Sequence, residues 1–213
     1  MSKHVFLTGP PGVGKTTLVQ KACEALVSSG VRVEGFCTEE VREGGRRVGF
    51  DVVTMTGERG HLSRIRDDAA ASCGRREYMV GQYAVDLPSF EGLALPLFRN
   101  VGAVDGGSRK VFVVDEIGKM ELFSQSFIRA VRQTLDSSAC TILGTIPIPK
   151  GKPLGLVEEV RSRRDVKVFA KSTSFLPEAQ GAFYINSRGE VEARGHPSPL
   201  SPRRWYLVIS GSR

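Results

Sequence analysis

The chain has 213 residues, of which 40% are hydrophobic and 25% charged, with a formal net charge of +7 and a pI near 9.5. That length supports one α/β domain with its own core, and that balance excludes a wholly disordered chain or a fibrous repeat. No window approaches the ~18 consecutive apolar residues of a spanning helix, and the polar turn after Val5-Phe6-Leu7 leaves no signal-peptide hydrophobic region, so a cytosolic chain without a membrane partner is expected.

Residues 1–160 hold 20 Lys and Arg against 19 Asp and Glu, whereas the last 53 residues hold 10 against 4. The positive excess therefore belongs to the C-terminal end, where a solvated basic face is the simpler reading, and nucleic acid is not an expected partner. Cys23, Cys37, Cys73 and Cys140 are scattered with no C-x-x-C pair, which reads as reduced structural thiols.

From the N-terminus, His4 to Thr8 is an apolar run ending in Gly9-Pro10-Pro11-Gly12, a buried strand entering a turn. Leu18, Val19, Ala22, Cys23 and Leu26 then recur at helical spacing, and Gly30 supplies a stop. Val31 to Thr38 reads as a strand. Val41 to Met55, with Glu43-Gly44-Gly45-Arg46 at its middle and Val48, Phe50 and Val52 alternating beyond, predicts a β-hairpin inserted on the α/β plan. Residues 56–77, rich in Gly, Arg and Asp, read as a mobile loop, and Tyr78 to Val85 as a short strand. Phe90 to Val101 has helical spacing, with Pro96 as a cap, kink or break.

After the turn Asp105-Gly106-Gly107-Ser108 comes the strongest strand, Lys110 to Asp115. A helix through Phe127, Ile128, Val131 and Leu135, a strand from Thr141 to Ile146, a helix from Leu154 to Arg163 and a strand from Val166 to Ala170 follow. This alternation predicts an α/β fold with a mainly parallel sheet flanked by helices.

Gly9-Pro10-Pro11-Gly12-Val13-Gly14-Lys15-Thr16 fits G-x-x-x-x-G-K-[ST] without a mismatch, between a strand and an amphipathic helix as a P-loop NTPase requires. The glycines let the loop curl so that backbone N–H groups converge on phosphate oxygens at a helix N-terminus. Lys15 should reach the β- and γ-phosphates, and the Thr16 hydroxyl should ligate Mg²⁺. Lys110-Val111-Phe112-Val113-Val114-Asp115-Glu116 supplies the second half: four apolar residues bury a strand from whose C-terminal end two carboxylates emerge. Asp115 is placed to hold the Mg²⁺ shell, and Glu116 to act as base or orienter for the attacking water.

The runs Lys3 to Thr17, Gly35 to Arg42, Gly49-Phe50-Asp51 and Asp115-Glu116-Ile117-Gly118-Lys119-Met120-Glu121-Leu122 closely resemble the THEP1 family of nucleoside-triphosphatases. The resemblance covers roughly residues 1–170. It implies hydrolysis of the terminal phosphate of ATP, GTP and other nucleoside triphosphates with Mg²⁺, by a small protein able to act as a monomer. It also places nucleotide-binding residues at Gly9 to Thr16 and along Arg109, Lys110, Val111, Phe112, Val113, Val114, Asp115 and Glu116.

Thr145 closes its strand and is a γ-phosphate sensor if that strand lies between the P-loop strand and the Asp115 strand; a strand-end cap is the alternative. Arg42, Arg46 and Arg47 offer an internal arginine finger, with solvent-facing arginines as the alternative, and Lys119 is a further residue near the nucleotide. His4, His61 and His196 form no cluster and read as structural or surface residues. The expected organisation is a P-loop domain over 1–171 and a divergent, poorly ordered tail over 172–213, with Pro/Ser spacing from Gly195 to Pro202 and an apolar run at Trp205 to Ile209. A P-loop kinase and a nucleotide-dependent switch are the competing functions.

Overall fold

A computed structural model describes residues 3–66, 78–99, 101 and 110–170, together with the backbone of three strands between 181 and 210. The elements in chain order are β1 His4–Thr8, α1 Lys15–Ser28, β2 Val33–Glu43, β3 Arg46–Thr54, β4 Arg59–Ile65, β5 Tyr78–Val80 and β6 Tyr83–Val85. They continue with α2 Leu87–Arg99, β7 Lys110–Asp115, α3 Gln125–Asp136, β8 Cys140–Ile146, α4 Gly155–Ser162 and β9 Val166–Ala170. The backbone strands β10 Gly181–Asn186, β11 Val191–Gly195 and β12 Tyr206–Ser210 form a separate three-stranded sheet ordered β11-β10-β12.

The main sheet has nine strands in the order β5-β6-β4-β3-β2-β7-β8-β1-β9. From β2 to β9 the neighbours are parallel, and from β2 outward through β3, β4, β6 and β5 they are antiparallel. The sheet is therefore mixed rather than mainly parallel. Three sequence expectations fail in its antiparallel half, one of them Tyr78 to Val85, read as a single strand, which is the antiparallel pair β5 and β6. Val31 to Thr38 and the first arm of the Val41 to Met55 hairpin are one continuous strand, β2, which turns through Gly44 and Gly45 into β3. Both glycines have positive φ, 54° and 82°, as a two-residue primed turn requires. Within the 56–77 stretch read as a loop, Arg59–Ile65 is a strand. Its polar residues hide it: Arg59 and Arg64 both pair with the buried Asp51 on β3, so ion pairs replace the apolar alternation that marks most strands.

Alternate residues of the parallel strands feed two cores. Val5, Leu7, Val111, Val113 and Leu143 pack under α1, against Val19, Ala22 and Leu26. Phe6, Phe36, Phe112, Val114 and Ile142 face the other way, against Phe90 of α2, Phe127 and Val131 of α3 and Val157 of α4. Rings of Phe36, Phe90 and Phe127 meet at centroid distances of 5.2–6.1 Å, and each such ring contributes about 1.5–3 kcal/mol by its burial. α2 runs through Pro96, which lies in its last turn, where a missing N–H removes only one helical bond.

His4 is a structural residue, as expected. Its Nε2 donates to Leu135 O at the end of α3, and its Nδ1 accepts from Ile142 N on β8, both at 3.0 Å. Burial holds the ring down to about 4, so it stays neutral and ties β1 to α3 and β8. Among the described residues, no helix is long and apolar enough to cross a membrane, and no cluster of His, Cys, Asp or Glu has metal-site geometry.

Candidate nucleotide site

β1 ends at Thr8, and the chain turns through Gly9 to Gly14 into α1. Gly12 and Gly14 have φ of 74° and 86°, conformations that a side chain would oppose, and they curl the loop back over the helix N-terminus. Gly14 is the residue before the first helical turn, and neither a side-chain cap nor an acidic residue occupies that turn. The first turn of α1 thus carries no carboxylate of its own, which suits its N–H groups to phosphate. Lys15 Nζ donates to the carbonyls of Gly9 at 3.1 Å and Pro10 at 3.5 Å. It also lies 3.9 Å from Glu116 Oε2. One ammonium therefore links the loop to the acidic end of β7.

The strand order explains that meeting. β8 lies between β1 and β7, so the ends of all three strands open on one edge of the sheet, and the condition attached to Thr145 is fulfilled. The Thr145 hydroxyl donates to Asp115 Oδ1. The Thr16 hydroxyl and the Cys37 thiol approach the same carboxylate, Cys37 from the position opposite it on β2. Just past β7, Ile117 N donates to Thr145 O at 2.9 Å and holds the chain beside β8.

Burial pushes the Asp115 carboxyl up, while its bonds to Thr145 and Thr16 and the charge of Lys15 oppose that push. Asp115 Oδ2 is buried and has no hydrogen-bond partner among the described residues. A buried carboxylate oxygen left over, with a threonine hydroxyl beside it, is a hard-oxygen donor pair that fits Mg²⁺ and no soft metal. Glu116 is about a third exposed; burial pushes its carboxyl up, Lys15 draws it down, and Asp115 pushes it up.

Other expected residues are placed differently. Lys110 lies at the opposite end of β7, buried and bonded to Glu34, and Val111 to Val114 fill the two cores, so Asp115 and Glu116 alone of the described strand residues reach the loop. Arg109 lies outside the described residues, as do His196 and Cys73. Arg42 is held by Glu40 and by Gly45 O, and Arg47 by Glu40 and the Tyr83 hydroxyl, with its guanidinium 5.2 Å from the centre of the Phe50 ring. Arg46 is exposed at the start of β3, and Lys119 is exposed beyond the acidic strand.

One acidic residue of this region is not assigned a role by sequence reasoning. Glu121 is buried, and its Oε2 accepts from Gly118 N at 3.0 Å. Burial, followed by the nearby charge of Glu116, pushes its carboxyl from 4.5 up to about 8. The folded protein then keeps a proton that the unfolded chain releases, so this group's contribution is full below about 4.5 and is lost as pH rises through about 8. Glu121→Gln, which cannot ionise, should raise the melting temperature relative to the parent more at about pH 9 than at about pH 5. Equal differences at both pH values would mean that the carboxyl titrates normally in the folded state.

The parallel half of the sheet, the loop between β1 and α1 and the acidic end of β7 define a P-loop NTPase. The NTPase family model matches residues 4–174. The human cancer-related nucleoside-triphosphatase is 66% identical over 169 residues, covering 79% of this chain and 88% of its own length. The nucleoside-triphosphatase THEP1 of Aquifex aeolicus is 41% identical over 160 residues, covering 74% and 83%. In structure, the solution structure of a human cancer-related nucleoside triphosphatase aligns at a TM-score of 0.69 with 79% and 88% coverage, and the crystal structure of THEP1 from A. aeolicus at 0.64 with 35% identity and 80% and 90% coverage. The chain belongs to the NTPase family.

Proposed function

We propose that this chain hydrolyses nucleoside triphosphates to the diphosphate and phosphate, with Mg²⁺ and with weak selectivity for the base. The observation that carries the reading is the position of Lys15, which bridges the phosphate loop and the Glu116 carboxylate. A γ-phosphoryl group seated against Lys15 would have the Glu116 carboxylate close by, a candidate base or orienter for the attacking water. Nucleoside-triphosphatase is also what the family relatives are called.

Asp115 Oδ2 and the Thr16 hydroxyl would hold Mg²⁺, which when bound neutralises charge on the β- and γ-phosphate oxygens. The remaining work belongs to the chain. The loop N–H groups bind the phosphates, and the Lys15 ammonium follows the charge that develops on the transferred group. Glu116 orients the water and takes its proton as the bond to phosphorus forms, and the β-phosphate oxygen leaves with the electron pair of the broken bond. Thr145 fixes the Asp115 carboxylate through its first oxygen, leaving the second for the metal.

No described residue of this site is a reader of base edges, so ATP and GTP should compete for one site with similar kcat/KM. Phosphate release from ATP, GTP, CTP and UTP, with Mg²⁺ and with a chelator, tests the reading, and added small-molecule or nucleotide acceptors separate hydrolysis from a kinase. A preference between bases above about a hundredfold, or about 2.7 kcal/mol, would require a base-reading group elsewhere. Turnover undiminished by the chelator would remove Mg²⁺ from the reaction. The same proposal takes the enzyme as a cytosolic monomer that needs no nucleic acid.

A further inference from the structure

We propose that Glu121 is a positioning residue of the hydrolytic site, which fixes the Ile117–Gly118 turn and so sets the direction in which Glu116 presents its carboxylate. The inference rests on the reading of Glu116 as the residue that orients the attacking water.

The turn is held from three sides. Ile117 N donates to Thr145 O at 2.9 Å, Gly118 N donates to Glu121 Oε2 at 3.0 Å, and Gly118 O accepts from Leu122 N at 3.1 Å. Glu121 is 4% exposed, and it opens the short 3₁₀ turn Glu121–Phe123 that leads through Ser124 into α3. Its anchor is therefore the domain core. The carboxylate it faces is the working one. A side-chain carbon added at Gly118 would meet Glu116 Oε1 at 2.7 Å and Glu121 Oε2 at 2.9 Å, so those two oxygens lie within about 6 Å of each other across a residue with no side chain. Glu116 rests over Gly118, and Glu121 grips the same residue by its amide.

A carboxylate that must aim a water loses rate when its support moves by an ångström, because the reacting atoms leave the near-attack geometry. Burial keeps Glu121 neutral, so it supports the turn without setting a second negative charge against Glu116. Gly118 is small because both carboxyl groups need its space. An ordinary turn cap asks for none of this: it would cost stability when removed and leave chemistry alone.

The test compares Glu121→Ala, Glu121→Gln and Gly118→Ala with Glu116→Gln, by melting temperature, nucleotide affinity with Mg²⁺, and steady-state kcat and KM. Expected for folded Glu121→Ala is a loss of kcat of about tenfold or more at unchanged KM and nucleotide affinity. The amide oxygen of Glu121→Gln still accepts from Gly118 N and should recover most of that kcat. Gly118→Ala removes neither carboxyl group but displaces both, which their flexible ends allow at little cost in stability, and it too should lose about tenfold in kcat at unchanged affinity. If Glu121→Ala does not fold, Gly118→Ala decides alone. Wild-type kcat in folded Glu121→Ala or in Gly118→Ala, or parallel loss of kcat and nucleotide affinity, overturns the proposal. Wild-type turnover in Glu116→Gln instead overturns the underlying reading of Glu116, whatever Glu121 does.

Discussion

Lys15→Ala should reduce triphosphate hydrolysis by about 10³-fold or more, the largest effect expected from any single side chain of this protein. The ammonium touches the loop carbonyls of Gly9 and Pro10 and lies 3.9 Å from Glu116, so it stands where negative charge on the transferred phosphoryl group grows. Charge stabilisation in a site that excludes water is usually the dominant catalytic term, and about 10²–10³ is the loss when one uncharged donor is removed. A full positive charge is worth at least as much. The fold should survive: Lys15 sits in the first turn of α1, alanine is the best helix former, and none of the α1 core contacts involves it. Phosphate release together with a melting curve checks both halves of the expectation. A folded variant that hydrolyses at the parent rate would show that the loop does not hold the reacting phosphate.

Glu116→Gln should separate binding from chemistry. Asp115, Thr16 and Lys15 are untouched, so Mg²⁺ and nucleotide should bind with nearly the parent affinity, while kcat falls by about 10² or more because the amide cannot accept the water's proton. The shape of the side chain is kept, so the space over Gly118 remains filled. Equilibrium binding of a non-hydrolysable triphosphate, measured beside single-turnover phosphate release, gives the two numbers. Equal loss of both in folded protein would make Glu116 a binding group, and Asp115 would then have to serve the water as well as the metal.

The parts of this site that sequence reveals are those whose logic is local. Gly9 to Thr16 is contiguous, and each residue type in it answers a constraint of phosphate binding. Asp115 and Glu116 stand out because four apolar residues precede them. Thr145 is intermediate: its meaning depends on whether β8 lies between β1 and β7, and strand order is a property of the sheet, not of any segment. Glu121 is invisible in the same sense. A glutamate near a helix start reads as solvated, and it is the packing of the Glu121–Phe123 turn that takes it out of water.

Strand β4 of the antiparallel half was hidden for an electrostatic reason. It carries Arg59, His61, Ser63 and Arg64. What makes it a strand is Asp51, 5% exposed on the neighbouring β3 and bonded to both arginines. Two guanidinium groups around a nearly buried carboxylate satisfy a charge that would otherwise be costly, and neither strand announces the other. The hairpin arginines show the same limit. Nothing in their spacing reveals that Arg42 and Arg47 share Glu40, or that Arg47 also lies against Phe50 and Tyr83.

The neighbours of β1 also govern when the catalytic loop can come into being. The first strand of the chain pairs with β8 and β9, Val5 with Leu143 and with Lys167, and with no strand of the N-terminal half. During synthesis β1 therefore has no sheet to join until residue 146 has left the ribosome, and both of its edges are covered only after residue 170. Closing loops of that length delays the reward for ordering the strand, so the topology favours slow, late formation of this part of the sheet. The His4 bonds to Leu135 and Ile142 close on the same late event. A nascent chain bearing the whole Gly9 to Thr16 motif thus holds the loop's sequence long before it holds the loop's shape.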